Sequence, residues 1–307
     1  MPRRSPAPPI ATSSKGTKPG RAWPNSRPAF GKPQRRLLPL RCRGERCCAA
    51  SFAARLAGED GMSIERLLQH FAGDQPMTIL DLGCGKGKLV DWLSAQGHDA
   101  WGCDFAGSSV SDFEADLAAD DRLRPIQPQP YRLPFDDGMF DCVVSSQVLE
   151  HVKDHESTFR EIHRVLKPHG ISLHTFPSRH VFIEPHVKVP LASVVRNRAW
   201  LHFWAWAGIR NPYQAGKPAA DVARLNYDYL HAHTHYLTRE QLLRHAKRFF
   251  VAAFREDIFF LPGAEETKQR SLKKRLFVLL GGDRLRIRLY GTFVMRALYL
   301  RKQPPSD

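Results

Sequence analysis

The chain has no uninterrupted apolar run near the roughly 18 residues that a membrane-spanning helix requires. Its most apolar stretches, 199–209 and 276–280, are much shorter, so no transmembrane segment is expected. It holds six cysteines in 307 residues, too few and too scattered for a disulfide scaffold, and no pair has zinc-ribbon spacing. Cys84, Cys103 and Cys142 each fall in or beside an apolar strand-like run, which predicts reduced, buried thiols in a reducing compartment such as the cytoplasm. Acid is scarce at one end: residues 1–57 contain thirteen basic residues and one acid, Glu45. The other 250 residues carry 33 basic and 30 acidic residues, so most of the net +15 belongs to this first segment. The body offers no electrostatic case for a nucleic-acid partner.

Residues 1–57 also hold nine of the 23 prolines and show no apolar period. Such a segment buries too little surface to offset its ordering entropy, so a disordered basic tail is expected over residues 1–60. A secretory signal is not expected, because there is no apolar h-region. A mitochondrial transit peptide fits the Arg-rich, acid-poor composition, but the prolines oppose its amphipathic helix. A basic arm for nucleic acid is the other functional reading. The plain reading is an extension without structure, or upstream sequence ahead of a start at Met62. A helix near Ser63–Phe71, with Ile64, Leu67, Leu68 and Phe71 apolar, opens the body.

From Met77 the pattern alternates. Thr78–Leu82 reads as strand one. Leu89, Val90 and Leu93 then recur at helical spacing, and Gly97 closes that helix. Ala100–Cys103, ending at Asp104, reads as strand two; Val110, Phe113 and Leu117 mark the next helix. Pro125, Pro128 and Pro130 leave room only for a short edge strand in 124–130. Phe140–Ser145 is strand four, Phe159, Ile162, Val165 and Leu166 form a helix face, and Ile171–Phe176 is strand five. This order predicts an α/β fold with a parallel sheet covered on both faces. The rhythm breaks over about 177–237, a segment rich in Trp, His and Arg that reads as an insertion with one or two helices. Thr238-Arg-Glu-Gln241 is a capping-box pattern opening another helix with Leu242, Leu243 and Ala246 inward. Phe249–Phe260 and Thr292–Leu300 are the last candidate strands.

The informative stretch is Asp81-Leu82-Gly83-Cys84-Gly85-Lys86-Gly87. Glycines at alternate positions after a strand let the backbone turn tightly and approach a ligand closely. The following helix aims its N-terminus at that ligand. A dinucleotide fingerprint starting at Gly83 requires glycine at position 88, where Lys88 stands, and no run fits a phosphate-binding P-loop. What remains is acid-x-Gly-x-Gly-x-Gly with a second acid, Asp104, 21 residues after Gly83. An acid at the end of strand two is placed to accept hydrogen bonds from ribose hydroxyls.

With these residues the sequence resembles the class I S-adenosylmethionine-dependent methyltransferases, and within them the group of ubiquinone and menaquinone biosynthesis methyltransferases. The resemblance covers roughly 76–176, with a weaker echo near 234–262. Besides the loop and Asp104, it rests on Leu133–Asp141 before strand four, Val148–Val152 after it, and Glu161–Gly170 leading into strand five. It implies a doubly wound, seven-stranded, Rossmann-like methyltransferase fold whose last strand is antiparallel, as one domain over 61–307. It implies S-adenosyl-L-methionine as cofactor, bound by Asp81, Gly83, Cys84, Gly85, Gly87, Asp104, Gln129 and Ser146. Gln129 stands where the family often has an acid for the adenine amino group, and His169-Gly170 where it usually has two glycines.

The methyl group of a sulfonium is already activated, so such an enzyme must chiefly align the acceptor and exclude water. A hydroxyl acceptor also benefits from a base. His151 is the first candidate, following strand four at the cofactor edge; its competing role is to stabilise a helix start with Glu150. Glu184 and His186, close after strand five, are candidates for substrate contact or for a tied turn. Some quinone-pathway relatives have Glu-x-x-Glu-His here and are thought to bind a metal; this chain has Gln147 at the first position, and no metal is expected. His231, His233 and His235 share one face if extended, and Tyr236 borders the expected pocket. Trp200, Phe203, Trp204 and Trp206, flanked by Arg196, Arg198 and Arg210, suit a lid packed on the fold or a peripheral lipid contact.

The reading is a methyltransferase acting, most simply on oxygen, on a small or lipid-like acceptor. Two rivals differ in class. A nucleic-acid amino-methyltransferase would carry an Asn/Asp-Pro-Pro-aromatic motif after strand four, where Ser145-Ser146-Gln147-Val148 stands. A non-catalytic protein could keep the fold, against the intact glycine loop.

Overall fold

A computed structural model describes Ile64, Leu68 and residues 75–106, 121–260 and 282–303 of the chain. The tail 1–60 and the helix expected around Val110, Phe113 and Leu117 lie outside the described residues. Of the helix expected near 63–71, Ile64 and Leu68 are described; both are helical and buried.

Strands β1 (Thr78–Leu82), β2 (Asp99–Asp104), β3 (Leu123–Pro125), β6 (Phe140–Ser146), β7 (Leu166–Pro177), β8 (Phe250–Phe254) and β9 (Met295–Lys302) form one seven-stranded sheet. Its order is β3-β2-β1-β6-β7-β9-β8. All neighbours pair in parallel except at β9, which runs antiparallel to both β7 and β8. This is the doubly wound, mostly parallel sheet that the sequence implied. The proline-rich stretch confines β3 to three residues at the edge, and a small hairpin, β4 (Gln127–Pro128) with β5 (Tyr131–Arg132), follows it.

The strands bury both faces because alternate side chains point to opposite sides. β1 sends Leu80 and Leu82 into one core cluster and Ile79 into the other. β6 does the same with Val143 against Cys142 and Val144. Helix α1 (Lys88–Ala95) covers one face with Val90 and Leu93; α2 (His155–Val165) covers the other with Phe159, Ile162 and Val165. Asp154 caps α2 by accepting from the Ser157 N–H at 3.0 Å. Leu166, expected on that helix face, instead starts β7.

Two further expectations shift. The run Phe249–Phe260 is a strand only to Phe254, after which Glu256–Phe260 turn into a 3₁₀ helix. The run from Thr292 begins inside a helix, Asp283–Phe293, that the sequence reading did not anticipate. Mixed Arg/Leu periodicity there hides the helix from a strand-oriented reading.

The insertion carries helices α3 (Arg198–Trp206) and α4 (Ala219–His233), joined through a 3₁₀ turn. It has its own small core of Val187, Val189, Leu201, Ala223 and Leu230. Helix α5 (Arg239–Ala246) opens with the expected capping box of Thr238 and Gln241. The helix Asp283–Phe293 is α6. The described cysteines Cys84, Cys103 and Cys142 are free and buried, and burial pushes each thiol up. Among the described residues, no helix is long and apolar enough to cross a membrane.

Candidate active site

The carboxyl ends of β1, β2 and β6 meet at a cleft of about 1180 Å³. The glycine loop forms one wall. Gly83, Gly85 and Gly87 have φ of 78°, 50° and 73°, in the left-handed region that other residues adopt only with strain. Each glycine meets a different need. A Cβ on Gly83 would collide with Cγ2 of Val148, and one on Gly87 would lie 2.9 Å from Leu123 Cδ1. A Cβ on Gly85 would meet nothing within 4 Å, so its bare backbone faces open space. The N–H groups of Gly83 and Cys84 both donate to the Cys103 carbonyl, at 2.8 and 3.2 Å, which ties the loop to the end of β2.

Asp104 ends β2 and lines the cleft. Its carboxylate accepts from the N–H groups of Gly85 (3.0 Å) and Phe105 (2.7 Å). Partial burial raises its pKa, and these two bonds oppose the rise. Asp81 sits deeper, between Gly102 of β2 and Val144 of β6 in the sheet register. Burial, followed by the nearby charge of Asp104, pushes the Asp81 carboxyl up to about 7.

Of the expected cofactor residues, Gly83, Gly85, Asp104 and Gln129 line this cleft. Asp81, Cys84, Gly87 and Ser146 do not. Cys84 packs with Ile79, Val90 and Leu123, and Ser146 accepts a bond from the Thr175 hydroxyl at 3.4 Å.

Sequence reasoning missed Phe105 and Tyr131, whose rings lie 6.1 Å apart beside Asp104 and Gln129. An aromatic directly after the strand-two acid is the signal that could have found Phe105. Gln147, read from the sequence only as a departure from a metal motif, also lines the cleft, with φ 55° and its N–H donating to the Thr175 carbonyl at 2.8 Å.

The three expected catalytic residues converge. Glu184 is fully buried and accepts four bonds: from His186 Nδ1 (2.6 Å), from Tyr236 Oη (3.0 Å), and from the N–H groups of His186 and Val187 (2.8 Å each). Burial alone would raise this carboxyl, but these donors and the His186 charge outweigh it and hold it below the ordinary range. Four donors converging on one carboxyl require it to be ionised. His151 donates from Nδ1 to the His233 carbonyl at 2.6 Å, and its Nε2 meets His186 Nε2 at 3.1 Å. His151 lines the cleft; His186 and Glu184 stand behind it.

The face expected of His231, His233 and His235 is not formed. α4 runs through His231 and His233, so helical rotation separates them. His231 stacks on Tyr227 at 4.0 Å, and His233 serves the site through its backbone carbonyl. A group that could hold a metal ion does exist: ligand atoms of Glu150, His151 and His186 lie within 4.8 Å of one another. Its third member, His186, comes from the insertion rather than from the motif after strand four. In the aromatic helix, Trp200 and Trp204 pack on the insertion core, and Trp200 Nε1 donates to the Pro190 carbonyl at 2.8 Å. Phe203 and Trp206 stay 50% and 73% exposed, so only one side of the helix is packed.

A family described as a methyltransferase domain matches residues 80–173. The chain is 34% identical over 104 residues to a ubiquinone biosynthesis O-methyltransferase of Pseudomonas paraeruginosa, covering 32% of this chain and 44% of that one. It is 37% identical over 92 residues to a demethylmenaquinone methyltransferase of Clavibacter sepedonicus, covering 30% and 38%. The chain thus spans less than half the length of these curated relatives. Among solved structures, it is similar to an S-adenosylmethionine-dependent methyltransferase from Mesorhizobium loti, with 17% identity, a TM-score of 0.44, and coverage of 83% of this chain and 98% of that one.

Proposed function

We propose that this chain, whose residues 80–173 match a methyltransferase domain family, is an S-adenosylmethionine-dependent methyltransferase that acts on an oxygen of a small or lipid-like acceptor. The observation that carries this reading is the cleft itself: one wall is the open backbone of Gly85 with Asp104, and the opposing wall holds His151.

The residues fit the cofactor. Gly85 leaves space where a ligand can lie against backbone, and the Asp104 carboxylate faces the same space to accept ribose hydroxyls. Phe105 and Tyr131 offer ring faces beside Gln129, which supports an adenine site there. Asp81, whose carboxyl is raised by burial and by the Asp104 charge, gains a partner when an ammonium group enters. S-adenosylmethionine supplies an electrophilic methyl on a sulfonium.

The protein's remaining task is to handle the acceptor. A hydroxyl becomes a better nucleophile as it loses its proton. His151 and His186 provide the acceptor for that proton. Both Nδ1 atoms are committed to groups that only accept, so both must carry hydrogen, and the basic positions are the two facing Nε2 atoms. With no proton between them, their lone pairs oppose each other at 3.1 Å; one added proton turns that repulsion into a hydrogen bond. The ionised Glu184 balances the resulting charge, and Tyr236 helps hold Glu184 in place. The pair is therefore a proton acceptor in its unprotonated state. The cytoplasm fits the free, buried cysteines.

The test is calorimetry of the full chain with S-adenosylmethionine and S-adenosylhomocysteine, followed by labelled methyl transfer to phenols, quinols, lipids and sugars. Absence of binding to either nucleoside removes the reading. Binding with no transfer to any acceptor favours a non-catalytic protein that keeps the fold.

A further inference from the structure

A second cleft, about 790 Å³, opens beyond the histidine pair at the carboxyl ends of β7 and β8. The two clefts share one stretch of chain as a partition: His151 lines the first, while Leu149 and Glu150 line the second. Tyr236, which bonds Glu184, also faces the second cleft. A ligand in this cleft therefore lies against the back of the proton-accepting pair.

Five arginines surround the cleft: Arg179, Arg239, Arg284, Arg288 and Arg296. One carboxylate, Glu256, serves two of them, with bonds to Arg296 at 3.1 Å and Arg239 at 3.4 Å. The other three, Arg179, Arg284 and Arg288, have no carboxylate at ion-pair distance among the described residues. Arg284 and Arg288 stand one turn apart on α6, on the face that carries Ile287 into the cleft. Like charges at that spacing repel. The helix is held there by close packing, since a Cβ on Gly291 would come within 2.7 Å of Glu256 Cγ. Arg179 adds to the field from the β7 side, close enough to Arg196 that its charge helps burial depress the Arg196 guanidinium.

The rest of the lining mixes apolar side chains, among them Leu149, Phe176, Leu237 and Phe254, with polar ones that include the carboxylates Glu150 and Glu240. Five guanidiniums against three carboxylates leave the cleft cationic beside its apolar side chains, which matches an amphipathic small molecule with one anionic end. Guanidinium forks favour phosphate and carboxylate, which they bind bidentately.

We propose that this arginine cleft binds an anionic group, phosphate ester or carboxylate, carried by the methyl acceptor, so that the acceptor's other end reaches the Glu150–His151 partition. The proposal rests on the methyltransferase reading for the word acceptor, but the anion site stands or falls separately.

Calorimetry of the full chain with inorganic pyrophosphate and with citrate tests the site, with S-adenosylhomocysteine titrated in parallel. At least one anion should bind the wild-type chain, and the double variant Arg284→Ala/Arg288→Ala should weaken it roughly tenfold or more. The variant should leave S-adenosylhomocysteine affinity within about twofold, because neither arginine touches the first cleft. Arg179→Ala should weaken the anion as well, and added salt should weaken it further. Preference for pyrophosphate assigns a phosphate ester; preference for citrate assigns a carboxylate. The proposal is overturned if neither anion binds at about 10 mM, or if the double variant binds as tightly as wild type. Anion binding without S-adenosylhomocysteine binding would instead overturn the methyltransferase reading and leave the cleft an anion site.

Discussion

His151 and His186 meet Nε2 to Nε2 at 3.1 Å, and each ring commits its Nδ1–H elsewhere, to the His233 carbonyl and to the Glu184 carboxylate. The pair can accept a proton from a substrate only when no proton already lies between its rings. Methyl transfer to a hydroxyl should therefore rise with pH and level off once the pair is unprotonated. Glu184→Gln removes the negative charge that favours protonated His151, which burial already lowers, so the acidic limb should move to lower pH. A pH profile of kcat/KM in both proteins checks this. An unmoved limb would assign the proton acceptor elsewhere.

Asp104 accepts from Gly85 and Phe105 and faces the cofactor cleft. Asp104→Ala removes a charged acceptor and releases the loop with it. S-adenosylhomocysteine affinity should fall by about 2–3 kcal/mol, roughly 30- to 150-fold. Titration calorimetry measures it; a loss under threefold would place the ribose elsewhere.

The glycines separate folding from binding. Gly83→Ala sets a methyl against Val148 in a left-handed backbone, so stability should drop by roughly 2–4 kcal/mol. Gly85→Ala meets no protein atom and carries only the backbone strain, about 1 kcal/mol. It should fold but lose cofactor affinity, because its methyl occupies the space where the ligand lies. Thermal melts with and without S-adenosylhomocysteine distinguish the two.

The Asp81 carboxyl, pushed up to about 7 by burial and then by the Asp104 charge, loses its proton later in the folded chain than in the unfolded one. As pH rises from about 4 to 7 the unfolded state sheds this proton first, so Asp81 subtracts stability over that window. Asp81→Asn should therefore raise Tm above pH 7, by roughly a few degrees. A bound ammonium reverses the preference, so wild-type cofactor affinity should grow with pH up to about 7 and then level off. Affinity measured from pH 5.5 to 8 in both proteins tests the pair of effects.

Arg164 explains why two of the sequence motifs occur together. It donates to the carbonyls of Leu133 (3.0 Å) and Phe135 (2.8 Å), to Asp137 (2.8 Å) and to both oxygens of Glu161 (2.9 and 2.7 Å), while Glu161 accepts from the Leu133 N–H. Arg164→Ala leaves those acceptors facing a partly buried gap and should cost about 2–4 kcal/mol in denaturant unfolding. Arg164→Lys, lacking the fork, should recover less than half of that loss.

Local signals determined much of this protein. Thr78–Leu82 is a strand because a short apolar run ends in glycines. The capping box at Thr238 starts α5 because its bonds span only three residues. The glycine loop and Asp104 were readable because their chemistry depends on spacing along the chain. Tertiary structure decided what depends on distant partners. Two of the alternating histidines, His231 and His233, lie on a helix because α4 packs on α3, which overrides their period of two. Glu184 and His186 became one unit with His151 only because the insertion folds back over the end of β6, joining residues 35 positions apart. The arginine cleft was invisible because its members come from the segment after β7, from α5, α6 and β9, and a near-neutral body averages their charge away. Periodicity and motif report what neighbours in sequence must do; which charges share a cavity is settled only when the sheet sets its strands side by side.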